Sequence, residues 1–191
     1  MGPEPGAVFV FGKLPAHGDF VSRGLSDAAR EAWDSWATAA LERLRDGRPD
    51  FEDAHDAAAP WRFVAGPSTL GPGWRAGALA ASVDSAGRRF IVAAGVEASP
   101  LARDPETAAE VEEALYLAIA ERQTVDELQA NNARRIAALV DVASFADRAA
   151  RAPDGPGLWW AIDSQSPPRI GATPPLTLLC DASAGQEETI G

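Results

Sequence analysis

Residues 8–21 read VFVFGKLPAHGDFV, and this stretch decides how the rest of the chain is interpreted. The continuous apolar run Ala7–Phe11 has the length and composition of a strand that is buried on both faces of a sheet. It ends at a turn, Gly12–Gly24, which is rich in glycine and charged residues. The turn contains Lys13, the only lysine of the chain, and His17, one of its two histidines. If the protein has a functional site, we expect it here.

A helix is predicted to follow this turn. Ser26 or Asp27 can cap its start, and Gly47 ends it just after Asp46. Its apolar positions recur at steps of three and four residues, so they form one buried face. These positions are Ala29, Trp33, Trp36, Ala40, Leu41 and Leu44.

An antiparallel meander is predicted over residues 61–96, where short apolar segments alternate with turns rich in glycine, proline and serine. Its strands are Trp61–Ala65, Trp74–Val83 and Arg88–Val96. Asp84–Gly87 forms a tight turn between the last two strands. The polar segment 50–60, before the meander, is expected to be a loop or a short helix.

Helices dominate the next part of the chain. Asp104 and Pro105 give an N-cap followed by proline, which predicts a helix to about Gln123. Thr124 and Glu127 match a capping box, which predicts a second helix in which Asn131–Asn132 favours a break. The remaining predictions are a helical piece at 142–150, a strand at 158–162, an irregular segment at 164–175, a strand or short helix at 176–180, and a disordered tail at 182–191.

The order of these elements predicts a fold of the α/β class. Helices pack on a mixed, partly antiparallel β-sheet, in the manner of a sandwich. The length suits a single domain, which we place at residues 1–181.

Charge and composition limit the partners. The chain has 28 acidic and 17 basic residues, a net charge of −11, and such a chain repels nucleic acid and anionic membrane surfaces. The first residues lack the basic and apolar regions of a signal peptide, and no apolar run approaches the roughly 18–20 residues that span a bilayer. The single cysteine, Cys180, excludes an internal disulfide and fits a cytoplasmic location.

The turn at residues 12–24 lacks a recognised catalytic or phosphate-binding pattern. A P-loop reads G-x-x-x-x-G-K-[ST], whereas here Lys13 follows the first glycine and Asp19 follows the second. Metal sites use three or four ligands, and His17 and Asp19 supply only two. We therefore expect no metal or cofactor, and we interpret Asp19 as a cap of backbone N–H groups. A second cluster, in a segment expected to be an exposed loop, consists of Asp53, His55 and Asp56.

Nucleophilic catalysis is not indicated either. There is no G-x-S-x-G motif, and Cys180 lies in an apolar segment typical of an inert core thiol. Most of the six tryptophans are expected in the core, although one or two at the surface would mark a protein-binding site. The residues by themselves favour a binding or regulatory role over an enzyme.

Five motifs in order resemble the TagF/ImpM family, accessory proteins of bacterial type VI secretion systems. They are Gly12–Val21, Trp33–Trp36, Ala59–Phe63, the linked segments Trp74–Gly77 and Ser82–Arg88, and Trp159–Trp160. The resemblance implies a cytoplasmic α/β sandwich that represses the secretion apparatus through protein contacts. It also implies an Fha-type forkhead-associated scaffold protein as the partner.

The resemblance assigns a protein-binding or structural role to the signature residues of these motifs. They are Lys13, Pro15, His17, Gly18, Asp19, Trp33, Trp36, Trp61, Arg62, Trp74, Ser82, Asp84 and Arg88.

The turn at residues 12–24 and the turn at Asp84–Gly87 both follow predicted strands, and the side chains in and beside them carry opposite charges. We therefore expect Lys13, His17 and Asp19 to form a hydrogen-bonded polar cluster with Asp84 and Arg88, which shapes a surface groove. The alternative is a small-ligand- or metal-dependent enzyme that uses the turns of His17, Asp19 and Asp84.

Overall fold

The computed structural model of the chain describes residues 7–67, 69–97, 100–140, 157–161, 168–171 and 174. Over these residues a seven-stranded sheet carries helices on both faces. The strands are β1 Ala7–Gly12, β2 Val21–Arg23, β3 Trp61–Ala65, β4 Arg75–Val83, β5 Arg89–Glu97, β6 Gly157–Ala161 and β7 Arg169–Ile170. The helices are α1 Asp27–Gly47, α2 Phe51–Asp56, α3 Pro105–Ala120 and α4 Val125–Val140, with a 3₁₀ turn at Pro100–Arg103 before α3.

The sheet has the strand order β2-β1-β5-β4-β3-β6-β7, and each neighbouring pair among these strands is antiparallel. The predicted α/β class is confirmed, and so is the meander, because β3, β4 and β5 are adjacent and consecutive. In the middle of the sheet Gly77 lies opposite Gly95. The absent side chains leave room for the ring of Phe9, which lies against Gly95.

The two faces of the sheet have different cores. The face under α1 and α2 is largely aromatic, with Trp33, Phe63 and Trp159 fully buried. The face under α3 and α4 is aliphatic, with Val92, Leu115 and Leu128 fully buried. Successive residues of a strand point to opposite faces, so the apolar run of β1 supplies both cores, as predicted.

The predicted caps are present. Ser26 accepts a hydrogen bond from the backbone of Ala29 at the start of α1, and the side chain of Asp104 accepts one from Glu106 before α3. At the start of α4, Glu127 Oε2 accepts from the backbone N–H of Thr124 at 2.7 Å, and Thr124 Oγ1 accepts from that of Glu127 at 3.3 Å. These reciprocal bonds form the predicted capping box.

Three predictions of local structure are wrong. The turn predicted at Gly12–Gly24 is interrupted by β2, whose three residues pair with the open edge of β1. The segment 50–60 contains α2, which confirms the short helix of its two predicted forms, whereas the exposed loop expected for Asp53, His55 and Asp56 is wrong. Helix α4 does not break at Asn131–Asn132, because Leu128 and Ile136 are fully buried on either side and hold the helix on the sheet.

Several other predictions lie outside the described residues. They are the helical piece at 142–150, most of the irregular segment at 164–175, the element at 176–180 and the tail at 182–191. The described part of 164–175 contains the short strand β7, which the sequence did not predict.

Candidate functional site

The predicted polar cluster is present in part: it joins Lys13, Asp84 and Arg88, which we call the turn cluster, whereas the side chains of His17 and Asp19 take no part in it. Lys13 Nζ lies 2.9 Å from Asp84 Oδ2, and Arg88 Nε lies 2.6 Å from the same oxygen. Arg88 also donates to the backbone oxygen of Gly18 at 2.9 Å, which ties the β4–β5 turn to the β1–β2 turn. Two segments about 70 residues apart in sequence are thus held together by one carboxylate.

Lys13 is aimed at this carboxylate by the end of β1. Gly12 has a φ of 115°, where a side chain is disfavoured, and a Cβ there would clash with the carbonyl of Ile91. The backbone N–H of Lys13 then donates to the same carbonyl at 2.8 Å. The glycine therefore lets the chain leave the sheet while it remains bonded to β5.

Asp84 is buried and hydrogen-bonded on both carboxylate oxygens. Its Oδ1 accepts from the backbone N–H groups of Ala86 and Arg88, while its Oδ2 takes the two cations. Burial alone would raise the pKa of Asp84. The bonds from the Arg88 backbone, Lys13, the Arg88 side chain and Ala86 outweigh burial and hold that pKa well below its ordinary value. Asp84, and not Asp19, is the aspartate that caps a turn.

Asp19 does not have the capping role predicted for it in the turn at residues 12–24, which we call the signature turn. It is exposed and makes no hydrogen bond to any other residue that the structure describes. Phe20, which follows it, is 40% exposed and packs edge-on against the rings of Phe11 and Phe90. The turn is held to the sheet by Phe20 and by the backbone around Gly18.

His17 connects the signature turn to two other elements. Its backbone oxygen accepts from Ser85 at 2.9 Å, and its Nε2 accepts from the backbone N–H of Val125 at 3.0 Å. Val125 is the first residue of α4, so His17 satisfies one of the amide groups that a helix start leaves without an intrahelical partner. Beside it, Arg122 Nη2 donates to the backbone oxygen of Pro15 at 2.6 Å.

A groove adjoins the turn cluster. Two cavities, of about 250 and about 360 Å³, share Asp56, Ala58, Ala81 and Ile119 in their linings and so form one space, which we call the α2–α3 groove. The other residues that line it are Pro15, His55, Pro60, Ala80, Ser82, Val83, Leu115, Tyr116 and Ala120.

His55 lies at the wall of this groove, and its burial corrects a second expectation. Its side chain is only 1% exposed, and its Nε2 lies 2.7 Å from the backbone oxygen of Phe90, to which it donates. Next to it, Asp56 forms two bonds with Arg89, at 2.9 and 2.7 Å. These bonds, with a smaller contribution from His55, hold the pKa of Asp56 below its ordinary value against the effect of burial.

Comparison with known proteins identifies the family. The TagF N-terminal domain, a type VI secretion system-associated domain, matches residues 10–145. The chain belongs to the TagF N-terminal domain family. The matched range contains both the turn cluster and every residue that lines the α2–α3 groove. No curated protein is significantly similar to the chain.

A solved structure shares the fold of this chain. The crystal structure of PA0076 from Pseudomonas aeruginosa PAO1 superposes with a TM-score of 0.55 at 26% sequence identity. The similarity covers 91% of this chain and 76% of that one. The fold shared with that structure therefore extends over most of the chain. By its family match, the protein is an accessory component associated with type VI secretion.

The tryptophans and Arg62 of the TagF signature lie in the core or at its border. Trp33 and Trp61 are buried, and Trp36 packs edge-on against Trp33. Trp74 lies under the guanidinium of Arg103 at 4.4 Å, and Arg62 Nη2 lies 3.3 Å from Glu112. These residues hold layers of the fold together.

Ser82 is buried at the end of β4, where its hydroxyl lies 3.5 Å from the backbone oxygen of Val83. Within the described part of the chain, no group of three or more histidine, cysteine, aspartate or glutamate side chains could hold a metal ion. No helix in the same residues is long and apolar enough to cross a membrane.

Sequence reasoning missed three residues around this site, Phe20, Tyr116 and Arg122, and it expected His55 in an exposed loop rather than buried. For His55 a signal exists, since Phe51, Ala54 and His55 are spaced as one face of a helix. For Arg122 there is none, because its partner is a backbone oxygen more than 100 residues away.

Proposed function

We propose that this protein is a non-enzymatic, cytoplasmic repressor of a type VI secretion system that acts by binding an Fha-type forkhead-associated scaffold protein. The observation that carries the proposal is the TagF N-terminal domain match over residues 10–145. The net charge of −11 disfavours nucleic acid and is compatible with a protein partner.

The bonding of the turns supports a binding role over catalysis. An enzyme built on His17 and Asp84 would need side chains that can accept a proton or a metal ion. Instead, Asp84 accepts four hydrogen bonds, and Nε2 of His17 is occupied by the backbone of Val125. Groups used in this way fix the shape of a surface.

The repressor role is tested by secretion from the native bacterium. Deletion of the gene should raise the amount of an effector in the culture medium, and expression from a plasmid should lower it again. Unchanged or reduced secretion after deletion would contradict repression.

The partner is tested separately with purified proteins. The full chain and the full-length Fha-type protein should elute together in size-exclusion chromatography, and isothermal titration calorimetry should give a saturable affinity. Separate elution and no measurable heat, for proteins that are both folded by circular dichroism, would remove this partner and leave the repressor role to be tested by secretion.

A further inference from the structure

The α2–α3 groove is open to solvent and is lined in part by small apolar side chains. Its walls include Ala58, Pro60, Ala81 and Ala120, so they supply apolar surface without filling the space between them. The larger of its two cavities measures about 360 Å³, which is room for several aliphatic side chains. Tyr116, at 63% exposed, stands at its edge. Exposed tyrosine beside an apolar pocket is common at protein interfaces.

Helix α2 gives one wall of the groove a negative charge. Asp56 is the one charged side chain among the described residues that line the groove. Helix α2 also carries Glu52 and Asp53, and all three carboxylates act on a single cation, Arg89. Arg89 binds Glu52 at 3.0 Å and Asp56 at 2.7 Å, which leaves a surplus of about two negative charges at this wall.

We propose that the α2–α3 groove binds a short segment of a partner protein that carries aliphatic side chains next to lysine or arginine. The aliphatic side chains fill the space between the small walls, and the basic side chains lie toward the carboxylates of α2. A second copy of this chain fits less well, because each copy carries a net charge of −11. This inference rests on the proposed function in that it places the protein contact of the repressor at one surface.

Two matched variants test the groove. Ala120→Arg places a long cation at the groove wall, where it fills space and repels a basic segment. Ala137→Arg adds the same charge at an exposed position of α4 that does not line the groove. Both replace alanine by arginine, a good helix former, at an exposed helical position, so both should fold.

The probe is a fluorescent peptide of leucine and lysine in amphipathic order, with a second peptide that carries glutamate in place of lysine. Fluorescence anisotropy should show binding of the lysine peptide to the wild type and to Ala137→Arg, with an affinity about tenfold lower for Ala120→Arg. Equal affinities for the two variants would overturn the proposal, as would binding of the glutamate peptide. Concentration-dependent dimerisation that Ala120→Arg abolishes would assign the groove to a second copy and also overturn it.

Secretion by the complemented deletion strain separates this inference from the proposed function. Repression by the wild type and Ala137→Arg but not by Ala120→Arg supports both. Repression by all three overturns the groove and leaves the repressor intact. A deletion without effect on secretion overturns the repressor, while the peptide measurement still decides whether the groove binds a basic segment.

Discussion

The turn cluster and the α2–α3 groove adjoin each other, and they differ in how their side chains are used within the chain. In the turn cluster one buried carboxylate accepts four hydrogen bonds, two from side chains and two from the backbone. In the groove the walls include small apolar side chains that bond to no partner through a side chain, with an exposed tyrosine at the rim. Pro15 connects the two regions, since it lies two residues after Lys13 and lines the groove. The comparison indicates that the charged signature residues fix the shape of the surface, whereas the residues beside them form the groove at which we propose that a partner binds.

Loss of the Asp84 carboxylate should have the largest effect on the free energy of unfolding. Asp84→Ala leaves Lys13, the Arg88 side chain and two backbone N–H groups without their acceptor. We expect this variant to lose more unfolding free energy than substitutions of Lys13, Arg88 or His17, as measured by urea denaturation. A stability equal to that of the wild type would show that the turns are held by other contacts.

Lowering the pH should remove the free energy of unfolding that the Asp84 carboxylate contributes. The pKa of Asp84 is lowered in the folded state, so its stabilising effect is present above about pH 4, the ordinary range of an aspartate in an unfolded chain. The effect is lost as the pH falls further toward the folded-state pKa. Urea midpoints between pH 7 and pH 2 should therefore decline more steeply for the wild type than for Asp84→Asn. Parallel curves would contradict this assignment.

Lys13 and Arg88 should contribute different amounts to the free energy of unfolding. Lys13 has a side chain that is 18% exposed, whereas that of Arg88 is 65% exposed and remains largely hydrated. Lys13→Met should cost about 1–3 kcal/mol of unfolding free energy, as expected when a buried acceptor loses a donor. Arg88→Met should cost less, because solvent screens an exposed pair. The reverse order in thermal and urea unfolding would mean that the bond from Arg88 to Gly18 matters more than the buried lysine.

His17 should stabilise the fold through its hydrogen bond to the first residue of α4. His17→Ala removes the acceptor for the Val125 N–H and should cost about 1 kcal/mol, the usual effect of losing a helix cap. His17→Gln, which places an amide oxygen near the same position, should retain part of the free energy of unfolding that His17→Ala loses. Val125→Pro removes the donor at a helix position that tolerates proline, so in that background His17→Ala should cost much less. An unchanged cost would show that His17 acts through another contact.

The sequence predicts the regular elements of this fold well, because their signals are local. The apolar run of β1, the spacing of Trp33 in α1 and the capping box of α4 each lie within one segment, and each is present. The three residues of β2 carry no such signal, since they form a strand only where β1 offers an open edge. The continuity of α4 also depends on tertiary packing, which outweighs the low helix propensity of asparagine.

The candidate site is predictable in part. The charges that follow strands in both turns predict the pairing of Lys13 and Arg88 with Asp84, because adjacent antiparallel strands bring their ends together. The choice between Asp19 and Asp84 as the capping carboxylate cannot be read from the residues, since both follow a strand in a polar turn. Only the three-dimensional structure shows which one is buried. The groove is hidden for the same reason, because its walls come from α2, β4 and α3.

The smallest effect on stability is expected in the groove, and this result would sharpen the comparison most. Ala120 is exposed at the end of α3 and lines the groove, so Ala120→Arg should change the unfolding free energy by no more than about 0.5 kcal/mol. Arginine near the C-terminus of a helix is also favoured by the helix dipole. Urea denaturation beside Ala137→Arg measures this directly. A loss above about 1 kcal/mol would mean that the walls of the groove support the fold as the turn cluster does, and the two regions would then share one structural role.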